Sequence, residues 1–478
     1  MVFEDVHWID PTSREFLDLT IERIRRLPVL LIITFRPEFQ QAWSGAEHVS
    51  TLLLRRLDVG EGTVLAESVA GKALPNEVVA HIAVRTDGVP LFVEELTRAI
   101  LESGLLRDEG DRYAIDRTIP SSVIPPSLHA SLLARVDRLG PTTKEVAQMG
   151  AAIGRDFSYE LLAVVAGRSE AELQHALTRL VEAGLVLQRG ALPEASFQFR
   201  HALVQDTAYS TLLRSPRRVL HARIAQALET KFPNETENQP ELIAQHYAEA
   251  GLVAKSVACW SRAGGRSATR YAMAEAATHF QKALDQLELL PENPERQRKE
   301  LEFCSALGAV LLAAQGHAGT ETGHAYARAR ELWEQLDSPS EFLHVPYGQA
   351  RYHAHRGEFD LALRLDEGLL RLSRQRDDFP GLVLGHYSSG RDLMLTGSFA
   401  ASQTHLENVL RLYDPTSHSS LIHLAGEAPH VNSQALLGIV HFVSAIRTKR
   451  WHGATLQSLK LGGWLIRRHW RLVCQTAS

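Results

Sequence analysis

The chain has 478 residues, long enough for about three domains. Hydrophobic residues make up 45% and charged residues 22%, an ordinary globular balance. A formal net charge of −5 and a pI near 6.5 give no general pull toward nucleic acid or an anionic membrane. The three cysteines, Cys259, Cys304 and Cys474, are odd in number and far apart, which excludes a disulfide framework or a paired-cysteine zinc site. A reduced cytoplasm is the expected compartment. No membrane span is expected, because the longest apolar run, Pro28 to Phe35, is too short to cross a bilayer as a helix.

In chain order, Val2 to Val6 reads as a short strand. Asp10-Pro11-Thr12-Ser13 supplies a helix start, and Phe16, Leu17, Leu19, Ile21 and Ile24 recur at helical spacing, predicting a helix to about Arg26. LPVLLIITF (27–35) is rich in β-branched residues and apolar on both faces, as a parallel strand covered on both sides should be. Strand, helix, strand is half of a doubly wound unit. Residues 57–106 read as helices broken at Leu74-Pro75-Asn76 and at Asp87-Gly88. Residues 107–127, with Pro120 and Pro125-Pro126, read as a linker with one short strand.

From 128 to 213, KEVAQMGAAIG, SYELLAVVAG and EAELQHALTRLVEAGLV are amphipathic helical segments, and LVLQRG with SFQFRH predicts a hairpin around Gly190 and Pro193. Three helices followed by a hairpin is a winged-helix arrangement. Beyond 216 the pattern is helical and Ala-rich. RYAMAEAATHFQKALDQL (270–287) sets Tyr271, Ala276, Phe280 and Ala283 on one helix side. GEFDLALRLDEGLLRL and GSFAASQTHLENVLRL repeat Gly357-x-Phe359 as Gly397-x-Phe399, close to the tetratricopeptide type of paired helix, with a plain bundle as the alternative. After Glu427 no acidic residue occurs while Lys and Arg continue, so 446–478 reads as a basic tail, either an amphipathic surface helix or a poorly folded end.

The motifs carry a resemblance. VFEDVHWIDPTS (2–13) resembles, through its whole length, the Walker B segment of a bacterial ATPase class: an apolar strand, an acidic pair, then His-Trp-x-Asp-Pro-x-Ser/Thr. TFRPE (34–38) is similar to the sensor-1 strand end, RTDGVPLFVEEL (85–96) to the Gly-x-Pro motif of STAND ATPases, and FRHALVQDTAY (199–209) to their winged-helix signature. The resemblance is close over about 1–290 and loose beyond. It implies Glu4 and Asp5 as the catalytic, magnesium-holding acids. It implies Arg36 facing the γ-phosphate, Gly88 and Pro90 at the adenine, and His201 reporting nucleotide state. Each has a plainer alternative: a charged strand end, a surface arginine, a turn before a helix, a core histidine. Asp10, before Pro11, is better suited to capping.

No Gly-x-x-x-x-Gly-Lys-Ser/Thr occurs; the nearest sequence, VAGKAL (69–74), lacks the first glycine and the hydroxyl. The sequence is therefore expected to be the C-terminal portion of a longer protein, with ATP, ADP and magnesium as inherited ligands. The expected fold is mostly α and multidomain: a partial α/β P-loop NTPase core (1–56), a helical lid (57–118), a winged helix (119–215), tetratricopeptide-like repeats (216–445) and the basic tail. The expected function is ATP-dependent signal regulation, tied to an adenylate/guanylate cyclase or to transcription, with little or no ATPase activity alone. The expected partners are a protein held by the repeats, and a cyclase domain or the P-loop segment itself. The competing readings are a non-catalytic repeat scaffold and a winged-helix transcription regulator. There is no strong case for nucleic acid, since Glu170, Glu172 and Glu182 stand against one Arg179 on the candidate recognition helix. The basic cluster Arg214, Arg217, Arg218 and Arg223 is expected to be a solvated face.

Overall fold

The computed structural model describes residues 1–41, 43, 45–115, 127–315, 319–414, 421 and 428–451. Pro120, Pro125-Pro126 and nearly all of the basic tail, 452–478, lie outside the described residues. The chain is mostly helical and forms two compact units. One comprises Met1, Thr20–Leu30 and Arg36–Leu252; the other comprises Val2–Leu19, Leu31–Phe35 and the described residues from Val253 onward. No helix among the described residues is long and apolar enough to cross a membrane.

The N-terminal stretch is less regular than its sequence suggests. β1 (Val2–Phe3) is followed by a 3₁₀ turn at Val6–Trp8, so the expected strand stops early. α1 (Pro11–Ile24) is capped by Asp10, whose Oδ1 accepts from the Ser13 amide at 2.8 Å. β2 (Ile32–Ile33) pairs parallel to β1, Val2 with Ile32 and Phe3 with Ile33. The expectation of a strand covered on both faces is corrected here. Leu30 is 75% exposed and Ile32 47%, because β2 has a single pairing strand among the described residues.

Three helices follow, with breaks where the sequence placed them: α2 (Val59–Ala70), α3 (Asn76–Thr86) and α4 (Pro90–Glu102). Asp58 caps α2 in a reciprocal box with Glu61. Val78, Ile82 and Thr86 form the buried stripe of α3 at four-residue spacing, and pack in a core with Ala66, Phe92, Leu96 and Ile100. Two strands, β3 (Leu106–Asp108) and β4 (Tyr113–Ile115), form an antiparallel hairpin, where the sequence reading had a linker with one short strand.

α5 (Leu128–Arg138), α6 (Pro141–Ile153), α7 (Tyr159–Ala166) and α8 (Glu170–Glu182) surround a three-stranded antiparallel sheet. Its order is β5 (Asp156–Ser158), β7 (Ser196–Phe199), β6 (Val186–Arg189). The β6–β7 hairpin forms as expected; β5 was missed, being three residues between two helices. Phe157, Phe197 and Phe199 stack across the sheet with ring centres 5.6–5.8 Å apart.

α9 (Ala202–Ser210), α10 (Arg214–Lys231), α11 (Pro233–Asn238) and α12 (Pro240–Ala250) complete the first unit. The arginines of α10 are more than a solvated face. Arg217 donates to the Leu212 carbonyl at 3.2 Å, Arg218 to Ala250 at 3.3 Å, and Arg223 to Val165. The last two carbonyls end α12 and α7, where a cation meets the negative helix end. Between α10 and α12, the Nδ1 atoms of His221 and His246 lie 2.8 Å apart, and the Tyr209 hydroxyl meets His221 Nε2 at 2.9 Å. A contact between two Nδ1 atoms holds one proton, so both rings cannot be charged.

The second unit is a stack of helices: α13 (Val253–Thr269), α14 (Met273–Leu287), α15 (Pro294–Gln315), α16 (Thr320–Gln335), α17 (His344–His355), α18 (Phe359–Gln375), α19 (Phe379–Leu395), α20 (Phe399–Leu412) and α21 (Pro429–Trp451). Each packs on the next, and α15 with α17, α17 with α19 and α19 with α21 also touch. This is a helical-repeat arrangement. The 40-residue period has a structural cause: Gly357 and Gly397 take φ of 78° and 81° just past α17 and α19, and Phe359 and Phe399 begin the next helix. Small residues let helices approach; a Cβ on Gly390 would lie 2.7 Å from Leu406. Ala276, Phe280 and Ala283 are buried as expected, but Tyr271 is 85% exposed, because it precedes α14 at φ 61°.

Asp366 and Asp392 are fully buried in this stack, with Arg391 bonded to Asp392 at 2.9 Å. Burial and the neighbouring Asp392 carboxylate push Asp366 well above the usual carboxylate range. A raised folded pKa means that folding takes up a proton, so stability falls as pH rises past the unfolded value. Asp366→Asn is expected to stabilise the chain at pH 8 by on the order of 1–3 kcal/mol, with the gain vanishing near pH 4. Urea unfolding at the two pH values measures this.

The histidines carry the opposite sign. Burial holds His246 and His386 down at about 4, each beside a second histidine. Their contribution is complete above the unfolded value of about 6.5 and is lost as pH falls from there to about 4. Each should forfeit on the order of 3 kcal/mol across that window. His246→Gln and His386→Gln should each flatten the acid limb of the stability profile.

Candidate functional site

The Gly-x-Pro segment forms a corner between α3 and α4. Asp87 and Gly88 take φ of 47° and 67°, and the Leu57 amide donates to the Gly88 carbonyl at 2.8 Å. A Cβ on Gly88 would stand 2.1 Å from the Leu57 carbonyl oxygen, so close approach as well as positive φ calls for glycine. Behind the corner lies a cavity of about 310 Å³, bordered by Leu57, Val59, Ile82, Thr86, Gly88 and Val93 among others. Arg56 and Asp87, both lining it, form an ion pair. Pro90 opens α4 at its first position and is exposed; it does not line the cavity.

α4 connects this corner to the sheet-bearing module. Glu95, 3% exposed, accepts from Arg135 NH1 at 2.7 and 2.5 Å and from Arg98 at 2.8 Å. The other Arg135 nitrogen donates to the Ala183 carbonyl, one residue past α8 and just before β6. Arg138 meets Glu102 at 2.6 Å, a second tie between α4 and α5.

His201 stands at the start of α9, partly buried, with no capping bond from its side chain. Burial lowers its pKa, the Arg200 charge acts in the same direction, and the carboxylates of Glu94 and Glu95 oppose them. The histidine therefore feels the carboxylates of α4, the helix that begins at the Gly88 corner.

The remaining motif residues are placed separately. Glu4 is exposed and Asp5 partly buried, between β1 and the 3₁₀ turn. Asp5 adopts φ 55° and ψ 40°, and its amide donates to Thr34 Oγ1 at 2.9 Å, tying the acidic pair to the end of β2. Arg36 is exposed, and its carbonyl accepts from the Phe39 amide at 3.0 Å. Among the described residues no three His, Cys, Asp or Glu side chains gather as a metal cluster. Gly71-Lys72 is a helix end whose lysine pairs with Asp108 at 2.6 Å.

Sequence reasoning missed Glu95 and Arg135. The signal was present for both: Glu95 lies three residues after Phe92 and four before Ala99, and Arg135 three after Leu132, so both fall on apolar helix faces.

No family model matches the chain. It is 30% identical over 351 residues to an uncharacterized protein of Rhizobium meliloti (strain 1021), a match covering 72% of this chain and 34% of that protein. The chain thus spans about a third of the length of the curated relative it matches. Among solved structures, it is similar to a Signal Transduction ATPase with Numerous Domains (STAND) protein with a tetratricopeptide repeat sensor from Pyrococcus horikoshii. That match has 15% identity and a TM-score of 0.35, and covers 98% of this chain and 69% of that one.

Removing one partner of a buried ion pair strands the other charge. Glu95→Gln is expected to cost about 3–5 kcal/mol, and Glu95→Leu with Arg135→Met to recover most of it. Chemical denaturation of the three proteins measures the difference.

Proposed function

We propose that this chain is the regulatory ATPase-and-repeat portion of a STAND-type signalling protein, acting in the cytoplasm. On this reading it binds an adenine nucleotide weakly and turns it over little or not at all by itself. The observation that carries the reading is the Gly88 corner: it closes a small, mostly apolar cavity and starts the helix whose carboxylates act on His201. Two of the motifs on which the resemblance rests, around Gly88 and around His201, are distant in sequence, and the Glu94 and Glu95 carboxylates of the first raise the pKa of His201 against its burial. The α5–α8 and β5–β7 module is read as a winged helix that reports nucleotide state to the helical stack. The stack is read as the holder of a protein partner, with a cyclase or transcriptional output.

Magnesium fits the acidic pair by donor chemistry: it takes oxygen ligands, commonly one or two carboxylates beside phosphate oxygens and water. Glu4 and Asp5 would hold it, and bound there it would neutralise phosphate charge. The phosphate cradle would come from a Gly-rich, lysine-bearing segment in another polypeptide stretch, since this sequence contains no such motif.

A scaffold reading has one observation in its favour. The second unit carries its own cavity of about 830 Å³, lined by Ala277, Leu307 and Leu311 with Lys282 and His324 among its polar residues. DNA reading by the winged helix is less supported, since three arginines of α10 already serve carbonyl groups.

Calorimetric titration with ATP, with and without magnesium, tests the proposal. Weak binding that magnesium strengthens is expected, with Asp5→Asn removing the magnesium-dependent part and hydrolysis staying at background. Brisk turnover by the isolated chain, or no nucleotide binding at all, would refute it.

A further inference from the structure

The amides in the first turn of α1 can be followed one by one. A helix start leaves its first backbone N–H groups without intrahelical partners. Pro11, the first residue of α1, has no N–H to satisfy. The Ser13 amide donates to Asp10 Oδ1 at 2.8 Å. The Arg14 amide reaches the Asp10 carbonyl at 2.9 Å. That leaves the Thr12 amide, and its acceptor is Glu275 Oε1, at 2.7 Å and 263 residues further along the chain.

Glu275 belongs to the first turn of α14 and is partly buried. Pro11 meets the stack as well. It lines the cavity of about 830 Å³ together with Ala274 and Thr278, on either side of Glu275 along α14. Residues 2–19 accordingly pack in one unit with the stack. The positive end of α1 thus receives two carboxylates, Asp10 from its own chain segment and Glu275 from the stack, the charge that a helix N-terminus favours.

The same stretch leads to the acidic pair. The Trp8 amide donates to the Asp5 carbonyl at 3.0 Å and the Ile9 amide to the Val6 carbonyl at 3.1 Å, closing the turn between Asp5 and Asp10. The Val6 amide donates to the Thr34 carbonyl at 3.0 Å, beside the bond from the Asp5 amide to Thr34 Oγ1. Asp5 and Thr12 are therefore joined by a short run of hydrogen-bonded backbone.

We propose that Glu275 is a positioning residue for the acidic pair: by holding the Thr12 amide, the helical stack sets where Glu4 and Asp5 stand. The inference rests on the magnesium reading above and deepens it, because that reading gives the stack no hold on the two acids. Glu275 touches neither metal nor nucleotide on this account; it acts through α1.

Hydrogen exchange and calorimetry on the full chain test this. Glu275→Ala removes the acceptor, whereas Glu275→Gln keeps a side-chain oxygen in its place. In Glu275→Ala, amide exchange over residues 11–14 is expected to quicken about tenfold, as for the loss of a helix cap. Unchanged protection of α18 and α19 shows that the stack of this variant is folded. The magnesium-dependent gain in ATP affinity should fall about tenfold in Glu275→Ala, as when a residue supporting a metal ligand is lost, and stay near the wild-type value in Glu275→Gln. Unchanged exchange in Glu275→Ala overturns the hold on α1. Faster exchange with an unchanged magnesium-dependent gain overturns the positioning role and leaves Glu275 a helix cap. Absence of any magnesium-dependent gain in the wild type overturns the magnesium reading itself, and the positioning role falls with it, whatever the exchange shows.

Discussion

A carboxylate taken out of water must be answered by charge and by hydrogen bonds, or the fold that buries it does not persist. Glu95 imposes that condition on the first unit. Its side chain is almost wholly enclosed, and it is answered from two directions, by Arg98 one turn along α4 and by Arg135 on α5. Arg135 is fixed in turn by the Ala183 carbonyl, where the chain leaves α8 for β6. Rotation of α4 about its axis would separate these charges at a cost of several kcal/mol. The helix therefore moves with α5 and the β6 corner, or not at all. Because α4 starts at the Gly88 corner, these bonds hold the helix leaving that corner to α5 and to the turn before β6.

Arginine acts repeatedly on helix ends in this protein. Arg135 meets the carbonyl just past α8, Arg223 that at the end of α7, and Arg218 that at the end of α12. In the second unit, Arg376 meets the carbonyls of Asp337 and Ser338, just beyond α16. The last carbonyls of a helix lack intrahelical partners and sit at its negative pole, so a guanidinium satisfies both needs at once. This changes the meaning of positive charge in the sequence. The cluster on α10 looks like a face offered to an anion, yet three of its arginines hold neighbouring segments in place.

The helices and their breaks were legible because Gly, Pro and apolar spacing act locally. Asp87-Gly88 ends α3, Pro75 precedes it and Pro90 starts α4, whatever the surroundings. Strands were read less well, since strand length depends on partners that spacing does not supply. The apolar run 27–35 contains only two paired residues, Ile32 and Ile33, because β1 offers only Val2 and Phe3. Tyr271 was placed on a helix from periodicity, but the positive φ at that residue sets it in the turn before α14. The buried charges were the hardest to see. Glu95, Asp366 and Asp392 read as solvated residues by type, and only their register against Phe92, Leu369 and Ser388 reveals their burial. The candidate site was legible as motifs; the Glu95–Arg135 connection was not, because it needs a contact across 40 residues to become visible.

The contrast between the two sets of acids bears on what this chain is built for. Glu4 is exposed, and Asp5 is partly buried, at positive φ with its amide on the Thr34 hydroxyl. Two carboxylates so placed bind a hydrated divalent cation weakly unless phosphate oxygens complete its coordination. Glu95, by contrast, is buried, held by two arginines and joined through them to a backbone carbonyl. Preorganisation of that kind costs desolvation that solubility alone would not require. The chain thus fixes its internal connection more firmly than its acidic edge. On the proposed reading, that is the order expected of a regulator: chemistry completed by a cradle supplied from elsewhere, and transmission built into the helices themselves.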